Sequence, residues 1–500
     1  MLPSSTNHDL QLTSGRLLAR NTILNLIGRI SPLVVAIFAI PILIKGLGTE
    51  RFGVLSLAWM LIGYFSLFDL GIGRALTKLV AEKLGAGENE KVPTLVWTSL
   101  FMMLILGILG ALLLGLLSPW LVYSILKIPE NLRAESLHVF YLLALSIPVV
   151  ISTAGLRGIL EARQLFGLIN YVRIPLGLFT YIGPVVALWF TRDLVIIVGV
   201  LAIGRLLAWL IFLELCLRML PELGRHRTIN RREMGPILRF GGWLTVSNVI
   251  SPLMEYLDRF LIGSLISVAA VAYYVTPYDV ITKLWIISGA ITAVMFPAFS
   301  IRFVQDQAST ALLFSRAVKS ILLILFPITL VIISFAHPFL NFWLGKEFAQ
   351  HSTFVLQCLA LAVFINSISH IPFALIQGVG RPDLTAKLHF AELPFYLVSV
   401  WWMIKALGIQ GAAIIWVLRV LVDTAVLFWF AILVLPETAN HVKHMALILG
   451  GCIVILVLAM LPMGTTISYV FFFLLLSAFI PISWFLILDS EERQVLRKLV

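Results

Sequence analysis

Residues 255–284 read EYLDRFLIGSLISVAAVAYYVTPYDVITKL. Positions 260–278 within that stretch carry no charge, and the flanking charges fall in two couples four residues apart, Glu255 with Arg259 and Asp279 with Lys283. Such spacing sets acid and base on one face of an α-helix, a single turn apart. Apolar sequence continues on both sides, so these charges stand inside apolar helices instead of ending them.

The same texture covers the whole chain of 500 residues, of which 60% are hydrophobic and 12% charged, with a mean hydropathy of +1.02. A spanning helix needs about 20 apolar residues. Cutting at polar clusters, Pro and Gly predicts an all-α polytopic membrane protein with about fourteen transmembrane helices. They fall near 20–45, 52–73, 92–119, 136–160, 165–190, 194–217, 238–265, 271–300, 313–339, 353–379, 384–405, 408–435, 444–463 and 467–488. A barrel would alternate strictly instead. The polar amino terminus is too long for a secretory signal peptide, so the first helix is expected to stay. Cys216, Cys358 and Cys452 lie in or beside apolar helices without CxxC spacing, which supports neither disulfides nor a metal site.

Cytoplasmic connections carry the excess of Lys and Arg. With the amino terminus inside, and bases near a span end counted with the adjoining connection, 23 of the 36 basic residues fall in inner segments, 7 in outer ones and 6 deep within spans, so both termini are expected in the cytoplasm. Anionic lipid and topology account for the net charge of +11, and no nucleic acid is implied. Ile30-Ser31-Pro32-Leu33 recurs as Ile250-Ser251-Pro252-Leu253, six spans later and in the same predicted direction. Two parallel six-helix lobes, related by a pseudo-two-fold axis along the membrane normal, would produce that phase. The expected organisation is a cytoplasmic segment 1–19, an N-lobe 20–218, a basic linker 219–237, a C-lobe 238–435, an appended helix pair 436–488 and a cytoplasmic tail 489–500.

Six bases fall within spans: Arg29, Arg173, Arg205, Arg259, Lys283 and Arg419. A cation at the bilayer centre costs about 2.5–3.5 kcal/mol on insertion scales, so each is expected to face a bundle interior or a wet cavity. All six are candidate substrate contacts for an anion. Arg29, Arg173 and Arg205 have no carboxylate within four residues on either side, which excludes neutralisation within their own helices. Glu255/Arg259, Asp279/Lys283 and, with the base first, Arg419/Asp423 can be read as self-neutralising couples or as parts of the site, and Asp258 as bonding across the lobe. Asp69, Glu255, Asp258, Asp279 and Asp423 are the candidates for ion coupling or gating. Intraspan prolines such as Pro148 and Pro175 predict kinks.

The quoted stretch resembles the LDRxLIG…YxVxxxxxxKL pattern of the polysaccharide (Wzx-like) flippases of the multidrug/oligosaccharidyl-lipid/polysaccharide exporter superfamily. LGTERFGVLSLAW (47–59), FDLGIGRAL (68–76), LRGILEARQLFGLINYVRIP (156–175), IQGVGRPDLTAKLHFAELPFYL (376–397) and LGIQGAAIIWVLRVLVD (407–423) resemble that family at matching places. The extra helical pair resembles its fourteen-span members. The resemblance implies a two-lobed transporter in a bacterial inner membrane that flips an undecaprenyl-diphosphate-linked oligosaccharide by alternating access. It would be driven by a proton or Na+ and work beside a polysaccharide polymerase or glycosyltransferases, without a cofactor. A diphosphate suits arginine, whose planar fork binds phosphate oxygens in pairs and stays charged when buried. Two rivals stand against it: a drug exporter of the same superfamily, whose cavity would be acidic or aromatic, and a membrane glycosyltransferase or polymerase. The latter would need an extramembrane region with clustered acids or His, whereas the spans are expected to hold no His or paired carboxylates placed as acid and base.

The basic-residue distribution places residues 219–236 in the cytoplasm. A Thr228→Cys protein is therefore expected to resist an impermeant thiol reagent in intact cells and to react once the cells are opened; labelling in intact cells would reverse the orientation.

Overall fold

A backbone N–H or C=O left unpaired in hydrocarbon costs several kcal/mol, so a spanning segment must satisfy its own hydrogen bonds. This computed structural model describes residues 15–65, 71–85, 87–163, 165–225, 228–231, 234–235, 256–461, 465–487 and 493, and among them there is no strand. Nine helices of the described residues are long and apolar enough to cross a membrane.

In chain order the helices are α1 (Gly15–Leu47), α2 (Thr49–Phe65), α3 (Ile72–Gly85), α4 (Val92–Trp120), α5 (Glu130–Ala162), α6 (Phe166–Leu188) and α7 (Leu194–Met219). After a stretch outside the described residues come α8 (256–265), α9 (Val268–Ile281), α10 (Trp285–Gln305), α11 (Gln307–Ser334) and α12 (Ala336–Leu344). The chain continues with α13 (Lys346–Gly378), α14 (Pro382–Val434), α15 (Ala439–Ala459) and α16 (Thr465–Ile482).

The chain forms two compact units, Met1–Ala272 and Tyr273–Val500. In the first, α5 is the helix against which α4 and α7 lie, and α6 bridges α1 and α7. In the second, α13 occupies the centre, against α10, α11, α12 and α14. Burial separates axis from rim: 83% of the most apolar window of α13 is buried, against 17% for α4. On α4, Leu109, Leu112, Leu113 and Leu116 are exposed, as a face turned to lipid requires. The repeat marks a division at 219–237, whereas the compact units part later, within α9. Residues before Tyr273 are gripped by the first unit, where the Lys127 backbone N–H donates to the Gly263 carbonyl at 2.9 Å and Gly53 lies against the Val268 carbonyl.

Two elements depart from the expected spans. The basic connection after the second span contains α3, because Ile72, Ala75, Leu76 and Val80 recur at helical spacing and are buried. The 53 residues of α14 would extend about 80 Å as one straight helix, far beyond a hydrocarbon core of about 30 Å. They turn at Gly408, where φ is +62° and ψ is −142°. The limbs before and after that glycine are the two spans expected at 384–405 and 408–435.

Charge and small residues lock the first unit. At one end, Arg51 Nη2 donates to Glu135 Oε2 at 3.0 Å, while Glu135 Oε1 accepts the Leu194 N–H at 2.6 Å. The carboxylate thus ties α2 to α5 and caps the positive amino end of α7. Farther along, α4 meets α5 so closely that a Cβ at Gly107 would lie 2.5 Å from Pro148 Cα, whereas one at Gly115 would meet nothing within 4 Å. Lipid offers no hydrophobic drive between helices, so contact depends on this kind of approach. Gly107→Ala is expected to destabilise the purified protein by about 1–3 kcal/mol in denaturant unfolding, and Gly115→Ala to leave it unchanged or slightly more stable. Equal effects would refute the close contact.

Candidate functional site

In the first unit, three helices each turn one arginine into the same cavity. Its lining is Val150, Thr153, Ala154 and Arg157 from α5, Arg173 and Leu176 from α6, and Arg205, Ala208 and Phe212 from α7. The lining positions on each helix are three or four residues apart, so each contributes one stripe of its surface. The cavity holds about 210 Å³, more than ten times the roughly 10–15 Å³ that a water requires. Its nine lining residues include three guanidinium groups and no carboxylate.

The three cations have different surroundings. Arg157 Nε lies 3.2 Å from Glu161 Oε1, one turn along α5. Arg173 and Arg205 are both half-buried, and Arg205 makes no ion pair or hydrogen bond among the described residues. An unpaired guanidinium beside a cavity of this size can take an anion without first breaking a protein contact. Arg173 and Arg205 are expected from sequence, whereas Arg157, close to the end of its span, is not among the six bases that the sequence singles out. Its signal was its spacing from Val150 and Thr153, along the face that carries it into the bundle.

In the second unit the chemistry differs. The turn at Gly408 sets the two limbs of α14 antiparallel, bringing Glu392 opposite Arg419 and His389 opposite Asp423. Arg419 Nε is 3.7 Å from Glu392 Oε2, and His389 Nε2 is 3.6 Å from Asp423 Oδ1. The Arg419 guanidinium also lies 5.2 Å from the centre of the Tyr396 ring. The couple Arg419/Asp423, open as a reading from spacing, is not made: each residue faces a partner on the other limb. The expectation that no span His is placed beside an acid is corrected here: His370 and His389 stand in helices of the second unit, and His389 lies 3.6 Å from Asp423.

The other candidates are dispersed. Asp258 and Arg259 are buried in α8, with Asp258 Oδ1 accepting the Arg259 backbone N–H at 2.7 Å. The Arg259 guanidinium sits 5.1 Å from the Tyr256 ring centre. Asp279 lies in α9, whereas Lys283 lies on the 3₁₀ turn Thr282–Leu284 and makes no ion pair among the described residues. The tighter turn takes Lys283 off the face of Asp279, so a spacing of four no longer implies contact. Asp69 and Glu255 lie outside the described residues, as does the Arg29 side chain.

A helical bundle with an anion-accepting cavity inside its apolar spans defines a multi-pass membrane transporter. The fold resembles an inward-facing multidrug resistance MATE family transporter of the MOP superfamily, with a TM-score of 0.67 and 17% identity over 83% of this chain and 99% of that one. It also resembles the lipid II flippase MurJ in an inward closed conformation, with a TM-score of 0.66 and 13% identity over 93% of this chain and 99% of that one. By sequence, the chain is 32% identical over 418 residues to a Shigella flexneri protein described as "Putative O-antigen transporter", covering 82% of this chain and 96% of that protein. Residues 18–303 match the family described as Polysaccharide biosynthesis protein, and the chain belongs to that family.

Pairing across α14 has a direct test. Removing one member of a buried pair costs about 3–5 kcal/mol because it strands the other charge, while removing both costs far less. Arg419→Met is expected to lower thermal stability, and Arg419→Met with Glu392→Leu to regain most of the loss. A larger recovery with Asp423→Leu than with Glu392→Leu would assign Arg419 to Asp423 instead.

Proposed function

We infer that this protein carries an undecaprenyl-diphosphate-linked oligosaccharide from the inner to the outer leaflet of a bacterial inner membrane, for assembly of a cell-surface polysaccharide. The observation that carries this reading is the cavity of Arg157, Arg173 and Arg205, with Arg205 free of ion pairs among the described residues. A diphosphate with sugars attached cannot cross hydrocarbon unaided. Guanidinium groups on three helices supply what its oxygens lose with water, while the prenyl tail stays in lipid. Kinship to the Shigella flexneri protein supports the same cargo class.

In this reading the two repeat lobes, 20–218 and 238–435, rock about the cargo, with 436–488 appended and both termini in the cytoplasm. Arg29, Arg259, Lys283 and Arg419 are further candidate contacts. A proton or Na+ gradient drives the exchange, with Asp69, Glu255, Asp258, Asp279 and Asp423 as the acids for coupling or gating. A polymerase or glycosyltransferases handle the cargo before and after it crosses, and the chain itself makes and breaks no covalent bond. Export of organic cations fits poorly with a cavity lined by guanidinium groups and no carboxylate.

Losing one charge-assisted contact weakens binding by about 1.5–3 kcal/mol, which is about 10–100-fold. Arg205→Ala is expected to cut flipping of the lipid-linked oligosaccharide in proteoliposomes by that order. Arg205→Lys should restore part of the rate, and both proteins should retain the parental melting temperature. Parental rates in well-folded Arg205→Ala and Arg173→Ala proteins would remove the cavity from the transport route.

A further inference from the structure

The flipping reading assigns nothing to Glu392 or His389, yet these residues build a charged cluster inside the second unit. Their side chains meet Arg419 and Asp423 across the hairpin of α14. The Glu392 and Asp423 side chains are 10% and 7% exposed. Both Glu392 carboxylate oxygens, Asp423 Oδ1 and Arg419 Nε are buried without a hydrogen-bond partner among the described residues. The two cross-limb contacts, at 3.7 and 3.6 Å, are longer than the 2.7–3.2 Å of a hydrogen bond. Glu392 and Arg419 also line a crevice of about 320 Å³, otherwise walled chiefly by apolar side chains such as Phe395, Leu418 and Val422.

Charge decides what is missing. Arg419 contributes one fixed positive charge, and Glu392 and Asp423 set two carboxylates against it. From α13, His370 stands with its ring 6.4 Å from that of Trp285. From α9 and α10, Tyr278 and Trp285 reach Trp416 of the second limb at 5.5 and 6.4 Å, adding a phenol and no charge. Neither Glu392 nor Asp423 has another charged contact among the described residues. Two carboxylates held together away from water cannot both stay ionised beside a single cation without cost, and one added cation removes it.

We propose that Glu392, Asp423, His389 and Arg419 form a binding site for one proton. A proton fits better than a metal ion: Arg419 repels a second fixed cation, and no group of three or more His, Cys, Asp or Glu able to hold a metal occurs among the described residues. The proton arrives from water and bonds to a carboxylate oxygen or to His389 Nε2; nothing is oxidised, and no other bond forms or breaks. Once there, it adds positive charge across the 3.6 Å contact between His389 and Asp423, which draws the limbs of α14 together. Use of this proton to drive transport rests on the flipping reading, whereas its binding does not.

The probe is the proton itself, acting on full-length protein in nanodiscs without cargo. Infrared difference spectra between about pH 9 and pH 5 are expected to show a protonated-carboxyl band from the interior. Glu392→Gln combined with Asp423→Asn should lose it, while Glu392→Asp should keep it and stands in if the double variant fails to fold. Glu135→Gln should leave it untouched. A band that survives the double replacement, or one displaced by NaCl but not by choline chloride at constant pH, overturns the proton site. Because no cargo is present, a failure of flipping alone would leave this band in place, so the two readings fail separately.

Discussion

A charge in an apolar helix bundle must be solvated by something other than water, and most of this molecule's particular features answer that demand. Three solutions recur. Arg51 and Arg419 take carboxylates from neighbouring helices, Glu135 and Glu392. Arg259 and Lys405 lie over aromatic rings, those of Tyr256 and Trp401, at 5.1 and 3.8 Å, where the ring face attracts a cation. Among the described residues Arg205 has neither, and it stands at a cavity. A paired charge is spent on the fold, whereas a charge left beside open volume remains available to a ligand.

Helix contact serves the same end. Because lipid is as apolar as leucine, helices approach through small residues and not through exclusion of water. Gly107 against Pro148 closes α4 on α5. Gly408 does more, because its positive φ folds 53 residues back on themselves and sets Glu392 against Arg419 and His389 against Asp423. A side chain with a Cβ would adopt that conformation only under strain. The chemistry of the second unit therefore begins in one backbone torsion.

Much of the fold was legible because a bilayer imposes a length. Among the described residues, breaks at polar and small residues located the long helices, with ends up to seven residues away from those expected, and the division near Gly408. What escaped was amphipathic: α3 carries Arg74, Lys78 and Lys83, and its charges outweighed the spacing of Ile72, Ala75, Leu76 and Val80. For the site, Arg173 and Arg205 were legible as bases without local acids, and they share one cavity. Arg157 was hidden by its nearness to a helix end, where a base ordinarily reports topology. The partners of Arg419 and Asp423 were hidden because spacing along one helix says nothing of the opposite limb. Glu392 and His389 drew no notice since attention to stranded cations passes over acids and imidazoles.

The two sites differ in residual charge, and the membrane potential gives that difference a direction. Three guanidinium groups line the cavity of the first unit, suited to an anion, while the cluster on α14 sets two carboxylates against one guanidinium. Each elementary charge crossing 100 mV exchanges about 2.3 kcal/mol with the field. In a cell negative inside, an anionic diphosphate leaving the cytoplasmic face moves with that field, and so does a proton entering from outside. In the proposed exchange, an anion moved outward and a proton moved inward would both release energy in that field. A cation exporter would face the opposite relation, with its cargo opposed by the field and its cavity lined by like charge.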